Sequence, residues 1–227
     1  MEKTPTKNRQ QGRSIAYSML KDAVQYLELM PGSVLVESEL IKRTQLGRTP
    51  IREALIRLSE EMLVNIFPQS GTYVAPISFQ LAGEVSYMRH LLDQDVCLTL
   101  CAQKAKIRDT LDEQFYFMRS AIKRDDVAEY IRQDNKFHAQ IFAYAGHEMV
   151  WNIISGSRAH YNRVLMLDLR SPGKLEASYQ DHEQLAEYIE SGDEKSLTVL
   201  LEKHHDHNMD DEYKERIQNR FPEYFAS

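Results

Sequence analysis

The segment QLGRTPIREALIRLSEEMLVNIFPQSGTYVAP, residues 45–76, constrains the fold of this chain most, because its hydrophobic period changes part-way along it. Thr49-Pro50 places a hydroxyl and then a proline where helices commonly begin. The apolar residues that follow recur at helical spacing: Ile51, Leu55, Leu58 and Met62. After Leu63 the pattern alternates with a period of two on either side of a turn at residues 68–71. The sequence therefore predicts a helix followed directly by a β-hairpin.

Two further helices are predicted before this segment. The first begins at Ser14, carries Ile15, Met19, Ala23 and Leu27 at steps of four and closes at Pro31-Gly32. The second is short and spans residues 37–44. Three helices and a hairpin form a winged helix-turn-helix, whose third helix enters the major groove of DNA while the hairpin reaches an adjacent groove or phosphate. We expect this domain over residues 14–78, after a polar, flexible arm at residues 1–13.

The polar side of the third predicted helix favours DNA binding. Arg48 and Arg52 fall outside the apolar stripe, near the helix N-terminus, where base edges are reached. Gly71 at the tip of the hairpin allows the backbone to approach a phosphate closely. The alternative is an all-α protein in which a few arginines lie on the surface. The adjoining hairpin makes the DNA-binding interpretation the stronger one.

Three short stretches, PGSVLVESEL, LGRTPIREAL and SGTYVAP, closely resemble the DNA-binding domain of the GntR family of bacterial transcription regulators. The resemblance covers about residues 14–76. It implies that double-stranded operator DNA is contacted by the residues at four matching positions: Arg48, Thr49, Arg52 and Gly71. Two positions depart from the family pattern. Gly47 stands where serine is usual and removes a helix cap, and Ser70 stands where many relatives have a basic residue, which implies weaker contacts by the hairpin.

Charge is distributed unevenly along the chain. The 227 residues carry a formal charge of −6, but residues 1–78 hold 10 Lys and Arg against 8 Asp and Glu, and the remainder holds 18 against 26. The overall charge therefore does not favour general attraction to nucleic acid, but the N-terminal region is net positive and the remainder net negative. No apolar run is long enough to cross a bilayer, and MEKTPTKNRQQGR lacks the core of a signal peptide. We expect a cytoplasmic protein, with Cys97 and Cys101 as core residues.

From about Phe79 onward the pattern is helical throughout. Helices are predicted at residues 79–104, 109–122, 125–145, 148–170, 175–191 and 193–218, with Asp109 and Asp193 as N-caps. No phosphate-binding glycine loop, nucleophile elbow or paired catalytic motif is found. The predicted fold class is mainly α, with an N-terminal winged helix-turn-helix and a C-terminal all-α bundle over residues 79–227.

Four ionisable residues occupy helix positions where leucine would be expected. Asp134 and His138 lie one turn apart on an apolar face, and His182 and His204 lie on the apolar faces of two later helices. Their burial costs several kcal/mol unless they are paired or bind a metal. One carboxylate and three imidazoles can bind a divalent transition metal, with zinc as first choice and nickel, manganese or iron as alternatives. The competing interpretation is four satisfied core residues.

This half resembles the helical effector domain, or FCD domain, of the FadR-like branch of GntR regulators. Metal-binding members carry Asp-x-x-x-His followed by two later histidines. Asp134 and His138 match the first motif, with the usual Phe137 between them, and His182 and His204 match the later pair. The resemblance covers about residues 79–210. It implies a bundle that holds a metal ion together with a small organic acid that ligates it.

Other polar residues of this half have open roles. The family usually has an arginine followed four residues later by glutamate, and here Arg89 is kept while Asp93 replaces the glutamate. Arg89 is expected to meet an effector carboxylate, with a surface ion pair to Asp93 as the alternative. His160 either lines the effector site or belongs to a solvated face. His205 and His207 are either surface residues or form a second, spurious metal-binding site.

The combined interpretation is a transcription regulator, with repression as the expected mode. A homodimer would place two third helices about one turn of DNA apart, ~34 Å, and effector binding would change operator affinity through linkage. Two alternatives remain from the sequence. One is a metal-dependent enzyme acting on a small carboxylate, for which no general base beyond the remaining histidines is found. The other is a protein whose metal is purely structural.

Overall fold

The structure, a computed structural model, describes residues 5–204 and 209–225. The chain divides into two compact units. The first contains the residues up to Ser78 together with those from Phe221 onward, and the second is Phe79–Arg220. Among the described residues, none of the helices combines the length and apolar composition that a membrane crossing needs.

Among the described residues, the N-terminal part of the first unit contains three α-helices and a two-stranded antiparallel sheet. Its elements are α1 (Pro5–Gln25), α2 (Glu37–Thr44), α3 (Arg48–Glu60), β1 (Val64–Phe67) and β2 (Gly71–Val74). Val64 pairs with Val74 and Phe67 with Gly71, so the hairpin turns at residues 68–70. The winged helix-turn-helix predicted from the change of hydrophobic period is confirmed.

The core of this unit lies between α1 and α3. Its buried residues on these two helices are Ala16, Leu20, Ala23, Val24, Ile51, Ala54, Leu55 and Leu58. The predicted apolar stripes are wrong at three positions. Ile15 and Met19 are 42% and 41% exposed, and Met62, with φ of 58°, lies beyond α3 and is 54% exposed. Steps of four drift around a helix with 3.6 residues per turn, so the buried face of α1 instead follows Ala16 and Leu20.

Two helices begin earlier than the sequence indicates. The chain is already helical from Pro5, so residues 5–13 of the predicted flexible arm belong to α1. Once the packed turns of a helix exist, each further residue adds a backbone hydrogen bond, and Arg13 also forms an ion pair with Glu53. Helix α3 begins at Arg48 with Gly47 as N-cap, which makes no side-chain cap. Thr49 therefore lies inside the helix instead of capping it.

The last described residues return to the first unit. A 3₁₀ turn at Pro222–Tyr224 ends in a bridge between Phe225 and Ile77, whose amide donates to the carbonyl of Tyr224 at 2.9 Å. The Tyr224 side chain is 6% exposed, and its hydroxyl lies 3.6 Å from the sulfur of Met30. The predicted second domain extended to residue 227, but burial of this aromatic segment assigns it to the first unit.

The second unit is entirely helical within the described residues. Its helices are α4 (Phe79–Ala102), α5 (Arg108–Lys123), α6 (Val127–Tyr144), α7 (Glu148–Ser157), α8 (Ala159–Asp168), α9 (Lys174–Ser191), α10 (Glu194–His204) and α11 (Asp211–Arg220). The helix predicted at 148–170 is interrupted at Arg158, and the one predicted at 193–218 is two helices. Helix α4 packs against α6, α7, α8, α9 and α10 and is the central helix of the unit.

Side-chain caps fix the starts of two helices that carry polar core residues. The carboxylate of Asp126 accepts from the amide of Glu129 and caps α6. Asp193 accepts from the amide of Ser196 at the start of α10, as predicted. The other predicted cap is wrong, because α5 begins at Arg108 and Asp109 lies within its first turn. Cys97 and Cys101 are buried and free, in agreement with their expected place in the core.

Removal of the Tyr224 ring should loosen the C-terminal segment. We expect Tyr224→Ala to lower the free energy of opening at Ile77 by about 2 kcal/mol, since a buried aromatic contact is lost while the segment can detach. Hydrogen exchange of the Ile77 amide measures this opening. Tyr224→Phe keeps the ring and is the control. Equal protection of Ile77 in the alanine variant and the wild type would contradict the assignment.

Candidate functional site

Three imidazoles meet in the interior of the second unit. His138 lies on α6, His182 on α9 and His204 at the end of α10. Each offers a ring nitrogen, and these atoms all lie within 4.8 Å of one another. His138 and His182 are 1% and 0% exposed. Residues from three helices far apart in sequence therefore converge on a volume that a single ion could occupy.

The carboxylate of Asp134 faces the same point. Because Asp134 precedes His138 by one helical turn, both side chains project from one face of α6. Its Oδ1 lies 3.3 Å from Nε2 of His182 and 3.7 Å from Nε2 of His138. Its Oδ2 accepts from Nη2 of Arg158 at 3.5 Å. One oxygen is thus turned to the imidazoles and the other to a guanidinium.

The outward nitrogen of each imidazole faces a polar group. Nδ1 of His138 lies 3.5 Å from Oδ2 of Asp93, and Nδ1 of His204 lies 3.5 Å from Oδ2 of Asp181. Nδ1 of His182 lies 3.5 Å from the hydroxyl of Tyr130. Metal-binding histidines commonly present the non-ligating nitrogen to a carboxylate or other polar group, which fixes the ring and its tautomer. In the described part of the chain, the arrangement leaves Nε2 of His138 and Nε2 of His182 for a ligand.

The inward nitrogens fit a metal ion. Nε2 of His138 and Nε2 of His182 are buried, and within the described part of the chain neither has a hydrogen-bond partner of good geometry. Buried polar atoms are normally satisfied, so two buried nitrogen acceptors directed at one carboxylate have the geometry of a cation-binding site. Imidazole nitrogens with one carboxylate oxygen form a donor set typical of divalent transition metals.

Burial also controls the protonation of this centre. Burial, followed by the charge of Arg89, lowers the pKa of His138 well below its ordinary value, and burial likewise lowers the pKa of His182. For Asp134, burial alone would raise the pKa, but the close His182 ring and the charge of Arg89 hold it well below its ordinary value. Neutral imidazoles beside an ionised carboxylate are the state that binds a metal.

Two arginines are buried beside the centre. Nη2 of Arg89 donates to Asp93 at 2.7 Å, and Nη1 donates to the hydroxyl of Tyr161 at 3.3 Å. The alternative predicted for Arg89, an ion pair with Asp93, therefore exists, but it lies in the core, with the two side chains 2% and 1% exposed. Arg158 is 1% exposed, and its burial together with the charge of Arg89 lowers its pKa to about 10.

The sequence leaves the roles of three further histidines undecided: His160, His205 and His207. His160 is 4% exposed, so the interpretation that it belongs to a solvated face is wrong. It is absent from the described wall of the cavity beside the centre. His205 and His207 lie outside the described residues.

A cavity of about 270 Å³ opens beside the imidazoles. Arg89, Asp134 and His204 line one part of its wall, and Asp168, Lys174 and Tyr213 line another. Asp168 is 2% exposed and lies 3.0 Å from Nη1 of Arg216 and 3.7 Å from Nζ of Lys174. The centre is therefore accessible to a small molecule, and charged groups surround the space that it would fill.

The sequence alone does not identify several polar residues of the centre. It predicts Asp93 only as a surface partner of Arg89, and it does not indicate that Asp181, Tyr130 and Arg158 contact the imidazoles or Asp134. Asp181 immediately precedes His182, so it projects to a different side of α9 and meets His204 of the next helix. Arg158 lies where α7 ends and α8 begins. The helical periodicity of residues 148–170 does not reveal this interruption. Only the fold brings these partners together.

The first unit presents the residues predicted to contact DNA at the start of α3. Arg48 and Arg52 have side chains 69% and 58% exposed, and Thr49 is also exposed. Both arginines reach the same carboxylate: Nε of Arg52 lies 2.6 Å from Oε1 of Glu37, and Nε of Arg48 lies 3.7 Å from Oε2. Glu37 begins α2, so this pairing holds the two arginines together on one exposed surface.

The tip of the hairpin carries the fourth predicted contact. Gly71 has φ of 118°, a conformation that residues with a side chain rarely adopt. A Cβ at this position would come within 3.3 Å of the Tyr73 ring, whose hydroxyl donates to the carbonyl of Ser70. Glycine is therefore required for the shape of the tip and leaves its backbone uncovered.

A winged helix-turn-helix with exposed arginines at the start of its third helix defines a DNA-binding protein, and here it is attached to a helical unit with a buried polar centre. Comparison with known proteins agrees. The family model for bacterial regulatory proteins of the gntR family matches residues 13–74, and that for the FCD domain matches residues 84–207. The chain belongs to the GntR family and is a DNA-binding transcriptional regulator, not an enzyme.

Curated relatives extend over most of the chain. An HTH-type transcriptional regulator in an unstable DNA locus of Streptomyces ambofaciens is 29% identical over 225 residues, which cover 97% of this chain and 92% of the relative. The HTH-type transcriptional repressor RspR of Escherichia coli is 24% identical and covers 83% of each chain. The gluconate operon transcriptional repressor of Bacillus licheniformis is 26% identical, with 79% of this chain and 74% of the relative covered.

Solved structures show the same fold. McbR/YncC of E. coli superposes with a TM-score of 0.72 at 17% identity and covers 92% of this chain and 98% of its own. A GntR transcriptional regulator from a Rhodococcus species has the same TM-score at 16% identity, with the same coverage. At this level of identity the likeness concerns the fold alone.

The metal-free protein should lose stability as the pH falls from 7 to 5. In the folded protein, the pKa values of His138 and His182 lie below the ordinary 6.5. As the pH falls from 7 to 5, the unfolded chain therefore binds more protons than the folded chain. Each histidine contributes stability that is present above pH 6.5 and is lost as pH falls toward the folded pKa, with a slope of up to about 1.4 kcal/mol per pH unit. Urea unfolding in EDTA measures this.

The variant His138→Gln removes one of the two groups and should reduce the slope by about half. The pKa values of Asp134 and Asp181 lie below the ordinary 3.8, so these two carboxylates contribute little to the slope between pH 7 and 5. A free energy of unfolding that stays constant between pH 7 and 5 would rule out the buried, neutral imidazoles.

Proposed function

We propose that this regulator controls its operator affinity through a small organic acid that binds at a divalent transition-metal centre in the second unit. The convergence of Asp134, His138, His182 and His204 beside a cavity supports this proposal. An acid bound there would stabilise one conformation of the regulator more than another. Operator affinity would then change by linkage.

The metal would be held by Oδ1 of Asp134 and one nitrogen of each imidazole. Zinc is the first choice, with nickel, manganese or iron as alternatives, because all accept imidazole and carboxylate ligands. When bound, such an ion attracts carboxylate oxygens as a Lewis acid. Asp93, Tyr130 and Asp181 orient the imidazoles toward it.

Arg89 would bind the acid alongside the metal. It lines the cavity, is held by Asp93 on one side, and its Nε has no hydrogen-bond partner among the described residues. A guanidinium fixed in this way can bind a carboxylate without losing further side-chain entropy. The name of the gluconate operon repressor, a relative, supports an organic acid as effector and repression as the mode of control.

The chain connects the second unit, which contains the cavity, to the DNA-binding unit at two places, and both lie within a few helical turns of residues of the cavity wall. The chain passes between the units at Ser78-Phe79 and again at Arg220-Phe221. Helix α4 begins immediately after the first crossing and carries Arg89, and α11 ends at the second crossing and carries Tyr213 of the cavity wall. A shift of either helix on effector binding would therefore be transmitted through the backbone itself.

In the first unit, Arg48, Thr49 and Arg52 would reach base edges from the start of α3, and Gly71 would bring the wing backbone to a phosphate. A homodimer would present two such helices about one turn of DNA apart, ~34 Å, to a pseudo-palindromic operator. Because Glu37 neutralises part of the arginine pair, it would suppress non-specific attraction to phosphate and favour sites that offer the arginines hydrogen-bond acceptors.

The DNA-contact assignment can be tested with Arg52→Ala. We expect operator affinity to fall by roughly 1 to 3 kcal/mol if the guanidinium binds a guanine edge. A gel-shift titration at fixed salt with the operator recovered by genomic selection measures the change. Arg119→Ala removes an arginine of similar exposure from the second unit and should leave affinity unchanged. Unaltered affinity in Arg52→Ala would remove this residue from the interface.

The metal assignment can be tested with His138→Ala. Elemental analysis of the purified variant should show metal reduced at least tenfold, since loss of one ligand removes a bond and its orientation. Thermal stabilisation by organic acids should disappear with it. His147→Ala, at an exposed histidine between α6 and α7, is the matched control. Full metal occupancy in His138→Ala would exclude it as a ligand, and full occupancy without stabilisation of wild type by any acid would indicate a structural metal.

A further inference from the structure

We propose that the effector is a dicarboxylate, with one carboxylate at the metal centre beside Arg89 and the other at Lys174. This inference rests on the proposed function and specifies the chemistry of the acid. It follows from the charges around the centre, from the pairing of Lys174 on the cavity wall and from the cavity's size. None of these depends on the name of any relative.

The charged groups around the imidazoles cancel one another before any metal is added. Arg89 and Arg158 are balanced by Asp93 and Asp134, all four of which are buried. At the edge of the centre, Asp181 faces His204 and lies 3.4 Å from Nζ of Lys203. The described groups therefore number three cations and three carboxylates, and histidines that ligate a metal are neutral.

A divalent ion would add two positive charges that this centre cannot compensate. Uncompensated charge in a buried site is costly, so a negatively charged guest is favoured. The guanidiniums show the same deficit of acceptors. Nε of Arg89 and both Nε and Nη1 of Arg158 are buried and have no hydrogen-bond partner in the described part of the chain. A monocarboxylate would neutralise only half of the added charge.

The part of the cavity wall formed by Asp168 and Lys174 provides a second place for an anion. Asp168 lies between two cations, with Oδ1 3.0 Å from Arg216 and Oδ2 3.7 Å from Lys174. One carboxylate cannot neutralise both, so this wall keeps a positive charge. Lys174 lines the cavity, and its distance from Asp168 exceeds that of a hydrogen bond. Its ammonium is thus able to bind a carboxylate that enters from the cavity.

The cavity favours a short molecule that spans the two places. Its volume of about 270 Å³ suits an acid of few carbon atoms. Ser178 lies one helical turn from Lys174 and one turn from His182 on α9, and Tyr161 contacts Arg89. Both hydroxyls line the cavity and can donate hydrogen bonds to oxygens of the molecule. A sugar monoacid would also fit by size, but it would leave the charge on Lys174 and part of the metal's charge unpaired.

One consequence is that metal and dicarboxylate should increase each other's affinity. Each supplies the charge that the other lacks, and linkage makes the effect reciprocal. A metal that is retained weakly in the absence of acid should be retained strongly in its presence. A polyhydroxy monoacid should produce a smaller change of the same sign.

Isothermal titration of the full-length protein, loaded with Zn²⁺ in a buffer free of carboxylate and phosphate, tests the proposal. The probes are malonate, succinate and glutarate, compared with butyrate and gluconate. We expect at least one dicarboxylate to bind roughly tenfold or more tightly than both monoacids, because one further charged contact is made. The apparent affinity for Zn²⁺, measured by competition with a chelator, should rise by the same factor in that dicarboxylate.

The variant Lys174→Met isolates the second contact. It should weaken dicarboxylate binding by roughly tenfold to a hundredfold and leave butyrate binding unchanged. Lys195→Met, an exposed lysine away from the cavity, is the control. Equal dicarboxylate affinity in Lys174→Met and wild type would overturn the second contact.

Tighter binding of gluconate or butyrate than of every dicarboxylate would overturn the dicarboxylate assignment while the proposed metal-dependent regulation stands. A protein that neither takes up Zn²⁺ nor binds any of the five acids would overturn the proposed function itself.

Discussion

The contact between Asp134 and the imidazoles of His138 and His182 is the interaction on which the second unit depends. A carboxylate that is 6% exposed needs compensation, and it is shared between two neutral rings on one side and the guanidinium of Arg158 on the other. This sharing requires α6, α9 and the junction of α7 with α8 to meet at one point. The centre therefore joins these elements of the bundle, in addition to the metal-binding role proposed for it.

The polar interior of the second unit fits the proposed response to a ligand. A core filled with leucine would be more stable, because buried ion pairs rarely exceed hydrophobic packing in stability. The chain instead buries three arginines, Arg89, Arg158 and Arg163, in one unit. In the proposed function, a metal ion and an anion would alter the charge balance of this interior and with it the free energy of the bundle.

Sequence patterns predicted the elements well where the chain interacts with itself locally. The hairpin, α2 and the inward faces of α6 and α9 follow from periodicity, since each depends on residues within a few turns. The wrong predictions concern segments whose structure depends on contacts with a distant part of the chain. Helix α1 extends through the expected arm, and residues from Phe221 onward join the first unit because Tyr224 packs there. Neither is visible in a local window.

The sequence by itself determined the family, the winged helix-turn-helix and the four inward-facing residues, because residue type and period select which side chains face the core. Only the tertiary structure determined which polar groups contact those residues. Asp93, Asp181 and Arg158 surround the centre, and Glu37 lies between Arg48 and Arg52, through contacts between elements that are separate in the chain. The packing of helices sets distances of 3 to 4 Å between such groups, and no periodicity within one helix contains that information.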